Sequence, residues 1–426
     1  MMDFMNDFEE SPYIYEKSDI DNISNPNNLY ESFKKCRKGF QWKESVQKYE
    51  LNLLTNITNA YHSLENKTYK LSDPYEFILN ERGHNRYIKA LSIVDRVIQR
   101  SFNDNVLNPA ISNHIIYDNG ASQKGKGVKF SRDRFKYHLR NTYNKYGYNA
   151  YVLLIDFSKY FDNILHEELL NQFKPLMNES EYWFLDKTFH TFDIDVSYMS
   201  DEEYLNSRDD LFNSLEYCNI PKEYLTGEKI LRKSIGIGNQ SSQASGIFYP
   251  HEIDNYITAV RGYGDYGRYM DDTYIFAATK EELEELLKDL TEKYRAIGIH
   301  VNKKKTRIQS IKYPISYLKI EYSIKETGRI IERVPNRVFK RERKRIESFK
   351  KIYDKGIMSV IDILQCYLSW EGSYKKFDSK RQIYLMNLFF KDTFGIMRID
   401  NLNEILHYLL KWERKEKYSP EVAYGI

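Results

Sequence analysis

Only three cysteines occur in 426 residues, Cys36, Cys218 and Cys366, and no two of them form a CxxC pair. That scarcity argues against a disulfide framework or a cysteine-based zinc site and fits a reducing cytoplasm. The nine histidines never fall in HExxH spacing, so no zinc hydrolase is indicated. No run approaches the roughly eighteen apolar residues of a membrane span, and residues 1–28 are polar and acidic, so neither a span nor a signal peptide is expected. A dominant charge is missing too. With 64 Lys and Arg against 61 Asp and Glu the net charge is +3, so affinity for nucleic acid has to be sought in local patches. Repeats and low-complexity tracts are absent.

What the chain does have is an ordinary hydrophobic content, enough for a sizeable core, and 37 tyrosines. Tyrosine offers faces on which bases stack, although an AT-rich genome explains the same bias. From Leu29 to Tyr69 apolar residues recur at helical spacing, which predicts two helices. Tyr87 to Leu107 reads as a short strand followed by a helix. The glycine-rich basic loop 119–127 precedes a basic helix over 131–146. Its G-x-x-x-x-G-K spacing lacks the Ser or Thr of a nucleotide-binding loop, because Gly127 stands there. YVLLI, Tyr151 to Ile155, reads as a buried strand, and a helix begins near His166. Residues from about 176 to 232 are polar, acidic and hard to assign. A small-residue turn, 236–246, leads into a helix over 247–260, followed by a tight hairpin at 266–277 and an amphipathic helix at 281–297. Short strands are expected near 300–301 and 315–320, and helices thereafter. This order suits a sheet-based catalytic core between helical lobes.

An apolar strand that ends in aspartate is costly unless the carboxylate meets a cation. Asp156 ends such a strand. Asp271 and Asp272, which lie 115 residues on, sit between apolar hairpin arms, where two adjacent carboxylates repel unless a divalent ion joins them. A DD pair alone is usually a solvated turn, as Asp209-Asp210 is expected to be.

IDFSKYFD (Ile155 to Asp162) and RYMDD (Arg268 to Asp272) resemble the A and C motifs of reverse transcriptases. The resemblance implies an α+β right-hand polymerase fold of fingers, a palm with a small antiparallel sheet, and a helical thumb. The corresponding division is a flexible leader 1–28, N-terminal helices and fingers 29–150, a palm 151–325 with the insert at about 176–232, and a thumb and C-terminal region 326–426. It further implies that Asp156 and Asp271 hold two Mg²⁺ ions, with Mn²⁺ as the alternative, and that Asp272 supports them. Phe161 matches the aromatic that excludes the ribose 2′-OH, although helical spacing alone would make it a core residue. Phe157 joins it in the nucleotide-binding set.

Gly238 to Gln243 stands at the B motif, with GIG where many members have PQG, so Gly238, Asn239 and Gln243 are expected near template and incoming nucleotide. Glycine suits a loop that a backbone must approach closely. Its GNxxSQ form is similar to diversity-generating and some other bacterial enzymes. GIHVNKKKTRI, Gly298 to Ile308, resembles the D motif, with Lys305 at the position that protonates pyrophosphate. The neighbouring lysines leave that assignment open, and a solvated basic turn is the bland reading. Tyr317-Leu318-Lys319 falls at the primer-grip hairpin, with lysine in place of the usual glycine. Asn85 to Ile88 resembles a fingers segment whose arginine binds triphosphate. Arg86 is the choice there, with Arg82, Arg96 and Lys124 as alternatives. Ser369 to Gly372 resembles a thumb segment.

Nucleic-acid contacts are expected from Lys124 and Lys126 in the basic loop, from Arg268 and Tyr269 before the carboxylates, and from Arg341, Lys344 and Arg345. The last three lie in Arg333 to Lys351, which holds nine basic residues against two acidic ones. The helix 131–146, with Arg132, Arg134, Lys136, Arg140 and Lys145, is expected to face template.

The implied reaction is RNA-directed DNA polymerisation from dNTPs, on an RNA template with a DNA or RNA primer. A dedicated noncoding RNA is a further candidate partner. No ribonuclease H, zinc-finger or endonuclease segment follows the palm, which points to a bacterial or phage enzyme, with antiphage defence favoured over diversity-generating or retron-like roles because of the insert. The rivals are an RNA-dependent RNA polymerase and an RNA-binding scaffold on an inactive palm.

Overall fold

The structure, a computed structural model, describes residues 18–81 and 83–395. Arg82, residues 1–17 of the expected leader and the last part of the C-terminal region lie outside the described residues. The described residues fall into two compact units, one of the described residues up to 131 with 153–275 and 281–307, the other of 132–152, 276–280 and the described residues from 308 on.

In the first unit the described end of the expected leader is folded. Asp21–Ser24 is helical, and Ile20, Ile23 and Leu29 are buried, because these three apolar side chains join the core of the following helices. Three helices follow rather than two: Pro26–Arg37, Glu44–Leu51 and Leu53–Glu65. The first starts with proline at its first position behind an Asn25 cap, a placement proline tolerates because its missing N–H had no partner there. An antiparallel hairpin, Tyr75–Glu81 with His84–Ala90, then leads into the helix Ile93–Phe102, which is capped by Ser92.

A four-stranded sheet runs in the order Arg307–Ser310, Tyr151–Ile155, Asp272–Ala277, Tyr266–Tyr269. The last two strands form the expected antiparallel hairpin, with Tyr269 opposite Asp272. In YVLLI every residue after Tyr151 is buried, as a continuous apolar run requires. The helix expected from residue 247 already begins at Gln240, because Asn239 caps it by accepting from Ser242 N at 3.0 Å. Helix Lys280–Ala296 buries Leu283, Leu286, Leu290 and Tyr294, with glutamates in its first turn and basic residues in its last, matching the helix dipole.

The stretch that resisted assignment is ordered. Helices Glu179–His190 and Asp201–Asn206 each begin with a capping box, Asn178 with Glu181 and Ser200 with Glu203. Ile194–Asp195 pairs with Ile230–Leu231, and Ile194, Val196, Phe212 and Leu231 form a small apolar core.

The second unit holds a three-stranded antiparallel sheet, Ile315–Tyr317, Ile320–Ile324 and Ile330–Arg333, and the helices Asn336–Asp354, Val360–Tyr374 and Lys380–Phe394. Leu318 and Lys319 form the two-residue turn of its first hairpin, at φ +45° and +68°. Left-handed backbone at both positions is what glycine or asparagine normally supplies, so the glycine that lysine replaces here is a conformational one. Lys319→Gly is therefore expected to stabilise the unit by about 1 kcal/mol, read as a higher thermal midpoint.

Several basic side chains of this unit are committed internally. Arg132 donates to Leu318 O at 2.5 Å, and Lys136 pairs with Glu332 at 2.8 Å. These two are thereby turned from the template-facing role expected of them, since hydrogen-bond partners far along the chain claim their charges. Arg341 and Lys344 are exposed on the helix Asn336–Asp354, while Arg345 is half-buried against Glu342. The three cysteines are free thiols, and no helix among the described residues is long and apolar enough to cross a membrane.

Candidate active site

Asp156 follows directly on the buried strand Tyr151–Ile155, and its backbone is held by the loop 302–306. Its N–H donates to Thr306 Oγ1 at 3.3 Å, and its carbonyl accepts from Asn302 N at 2.8 Å. Asn302 also caps that loop, accepting from the N–H groups of Lys304 and Lys305 at 3.1 and 3.3 Å. The turn so formed brings Lys305 Nζ to 3.2 Å from both carboxylate oxygens of Asp156. Of the three consecutive lysines, Lys305 is thus the one that reaches the carboxylate.

Met270 and Asp271 make the two-residue turn between Tyr266–Tyr269 and Asp272–Ala277, and Met270 takes φ +58°. Glycine is usual at that position, so the turn stores strain of about 1 kcal/mol. Burial pushes the Asp271 carboxyl above its ordinary range, and the negative charge of Asp156 pushes it further. Lys305 and Arg86 pull it back. Four charged groups from four separate stretches of sequence therefore share one electrostatic site. Asp272 opens the outgoing strand opposite Tyr269, whose hydroxyl is pushed up by burial and by the Asp272 charge. Asp209 and Asp210, by contrast, are exposed.

Arg268 differs from the nucleic-acid role expected of it. It is fully buried, and its guanidinium grips Asp254 at 2.6 Å. The same group donates to Ile247 O at 2.6 Å and to Met270 O at 3.2 Å, while Tyr266 Oη donates to Asp254 at 2.5 Å. Burial alone would disfavour its charge, but Asp254 holds its pKa above the ordinary value. Arg268 thus braces the Met270–Asp271 turn from beneath. Nothing in the local sequence marks Asp254 as its partner.

Phe161 lies on the short turn Tyr160–Asn163, half-buried. A Cβ placed on Gly246 would stand 3.2 Å from its ring and 3.5 Å from Met270 Sδ, so glycine there lets the aromatic ring and the Met270 turn approach the same helix. Phe157 is buried between Tyr160 and Tyr294, which leaves only its backbone for a nucleotide. In the expected B loop, Gly238 has φ +126°, and a Cβ on it would meet Ile88 at 3.1 Å. Lys89 N donates to Ile237 O at 3.2 Å, so this loop is stitched to the hairpin that carries Arg86. Asn239 spends its oxygen on the helix cap, while its buried amide nitrogen has no partner. Gln243 is exposed.

Arg86 is exposed, 3.5 Å from Glu81. Of its alternatives, Arg96 lies over the Phe40 ring, Lys124 is exposed, and Arg82 is outside the described residues. Lys126 donates to Tyr117 O at 2.7 Å and to Asn119 O at 3.2 Å, which ties it to its own loop.

The carboxylates suit a divalent cation of the magnesium type. Their oxygens are hard donors, and Asp271 carries a burial and repulsion cost that a cation beside Asp156 would relieve. Among the described residues no three or more His, Cys, Asp and Glu side chains converge as a closed metal site. Such an ion would take the rest of its shell from water and substrate phosphate, as Mg²⁺ does.

A family model described as reverse transcriptase (RNA-dependent DNA polymerase) matches residues 239–322. The match covers the loop at Asn239, the turn at Asp271 and the lysine loop, and Asp156 lies outside it. Reverse transcriptase domains use divalent metal ions. No curated protein sequence matches the chain. Among solved structures, apo telomerase from Candida tropicalis superposes with a TM-score of 0.37 at 12% identity, over 60% of this chain and 47% of that one. The chain thus spans about half the length of that protein.

Proposed function

We propose that this chain, which matches a reverse transcriptase family model over residues 239–322, is an RNA-directed DNA polymerase whose reaction is metal-dependent transfer of deoxynucleotides to a primer 3′-hydroxyl at Asp156, Asp271 and Asp272. The observation that carries this reading is the electrostatic coupling of Asp156 with Asp271, with Lys305 seated on the first. Asp156 and Asp271 would hold two Mg²⁺ ions, which when bound supply Lewis-acid activation of the hydroxyl and stabilisation of the departing pyrophosphate. Lys305 brings an ammonium group to the same place, where it neutralises phosphate charge and can release a proton to the leaving group. Arg86 offers a planar fork to the triphosphate. Gly238, Asn239 and Gln243 lie on the template and nucleotide side. Lys124, Arg341 and Lys344 supply exposed charge to the nucleic-acid backbone.

The test is primer extension on an RNA template with dNTPs and Mg²⁺, in wild-type protein and in Asp271→Asn. Extension that survives the substitution would move the site elsewhere. Phe161→Ala is expected to lower the preference for dNTPs over rNTPs by about a hundredfold, since the ring is the group placed to meet a 2′-hydroxyl. The matched kcat/KM ratio measures it.

A bacterial or phage setting, with a role in antiphage defence, is supported by the form of the Gly238 to Gln243 loop and by the insert. Sequencing of DNA made in cells with and without phage challenge tests it, and a product independent of phage counts against defence.

A further inference from the structure

The turn that carries Phe161 is fastened from outside the polymerase motifs. Asp162 and Asn163, the two residues after Phe161, are buried and bond into the insert at 176–232. One Asp162 oxygen accepts from Ser214 N at 3.1 Å and from Ser214 Oγ at 2.9 Å. Asn163 exchanges a reciprocal pair with the backbone of Phe212, whose N–H donates to Asn163 Oδ1 at 2.8 Å and whose carbonyl accepts from Nδ2 at 3.0 Å. Phe212 in turn packs in the insert's own apolar core with Ile194, Val196 and Leu231.

Buried polar groups are normally satisfied, so four such bonds could simply attach the insert to the body. Their placement says more. They converge on a single turn of 3-10 helix that opens with Lys159 in a left-handed conformation, at φ +47°. The turn's own bonds are few, Asp162 N and Asn163 Nδ2 donating to Lys159 O at 3.0 and 2.9 Å and Ile235 N to Phe161 O at 3.1 Å, so the insert supplies the side-chain partners of its far end. The insert also reaches the hairpin of Arg86, where Phe212, Ser214 and Tyr217 line a small cavity together with Tyr87, Lys89 and Asp162.

We propose that the insert at 176–232 is a specificity element of the polymerase, in which Phe212 and Ser214 hold Asp162 and Asn163 as positioning residues that fix Phe161 against the sugar of the incoming nucleotide. The proposal rests on the reading of Phe161 as the sugar gate. Once these bonds are lost, the turn relaxes, the ring recedes and a 2′-hydroxyl is admitted.

The experiment measures kcat and KM for one dNTP and the matching rNTP in single-nucleotide extension. The variants are Asp162→Ala, Asn163→Ala, Ser214→Ala and Ser214→Thr, with Phe161→Ala as reference. Ser200→Ala removes a helix cap elsewhere in the insert and controls for a general loss of its stability. Asp162→Ala and Asn163→Ala should lower the dNTP-to-rNTP ratio of kcat/KM by at least about tenfold, mainly through a lower KM for the rNTP. Ser214→Thr should keep the wild-type ratio, Ser214→Ala should fall between, and Ser200→Ala should leave it unchanged. Ser214→Ala retains the backbone bond to Asp162, so it reads the effect even where the Asp162 or Asn163 variants fail to fold. An unchanged ratio in the Asn163 and Ser214 variants, with a collapsed ratio in Phe161→Ala, would overturn the inference and leave the gate standing. A wild-type ratio in Phe161→Ala would remove the gate and the inference with it.

Discussion

Replacing Asp271 by Asn is expected to lower dNTP incorporation by a factor on the order of 10³ or more, equivalent to about 4 kcal/mol of transition-state stabilisation. The side chains have nearly the same shape, so the loss would report charge. Structural damage would not account for it, because the carboxylate is disfavoured where it stands. Burial and the Asp156 charge both raise its pKa, and the neutral amide escapes both costs. The thermal midpoint of Asp271→Asn should therefore equal or exceed that of wild type while incorporation disappears. Asp156→Asn should lose incorporation equally and also release Lys305, which now contacts both its oxygens. Asp272→Asn should cost less, since the proposed site gives Asp272 only a supporting place. Extension at a wild-type rate in Asp271→Asn, in single-turnover assays with Mg²⁺, would show that the reacting atoms are held elsewhere.

The largest stability effect is expected beneath that turn. Arg268→Met would leave Asp254 buried without its cation, and breaking one side of a buried ion pair costs about 3–5 kcal/mol. Tyr266 still donates to Asp254, so part of the carboxylate's need would remain met. The double variant Arg268→Met with Asp254→Leu removes both charges and should recover most of the lost midpoint in thermal unfolding, because two apolar groups need no solvation. Activity should not return with stability. Arg268 also donates to the carbonyls of Met270 and Ile247, and no apolar residue replaces those bonds to a turn that holds Met270 at positive φ. A double variant as unstable as Arg268→Met alone would mean that the arginine acts through its packing and carbonyl bonds more than through the pair.

Arg268 also shows where a sequence stops being readable. It precedes the carboxylates in RYMDD and looks like a cation waiting for a phosphate, yet its partner is an aspartate in a helix fourteen residues upstream. Arg132 and Lys136 repeat the lesson, with partners at Leu318 and Glu332. The insert was unreadable for a different reason. Its strands are two residues long and its apolar core small, so no periodicity builds up. Only its helix starts left a local trace, in the N-x-x-E at Asn178 and the S-x-x-E at Ser200.

The α+β class, the buried strand ending at Asp156 and the hairpin presenting Asp271 were determined by the sequence alone. An unbroken apolar run and a two-residue gap between apolar arms act over a few neighbouring residues, so their outcome is written locally. Tertiary structure decided which polar groups meet which partners: Lys305, among three lysines, reaches Asp156, Arg268 is turned to Asp254, and Asp162 with Asn163 is tied to Phe212 and Ser214. A charged or polar side chain takes its state from whatever surrounds it, and those surroundings come from distant parts of the chain.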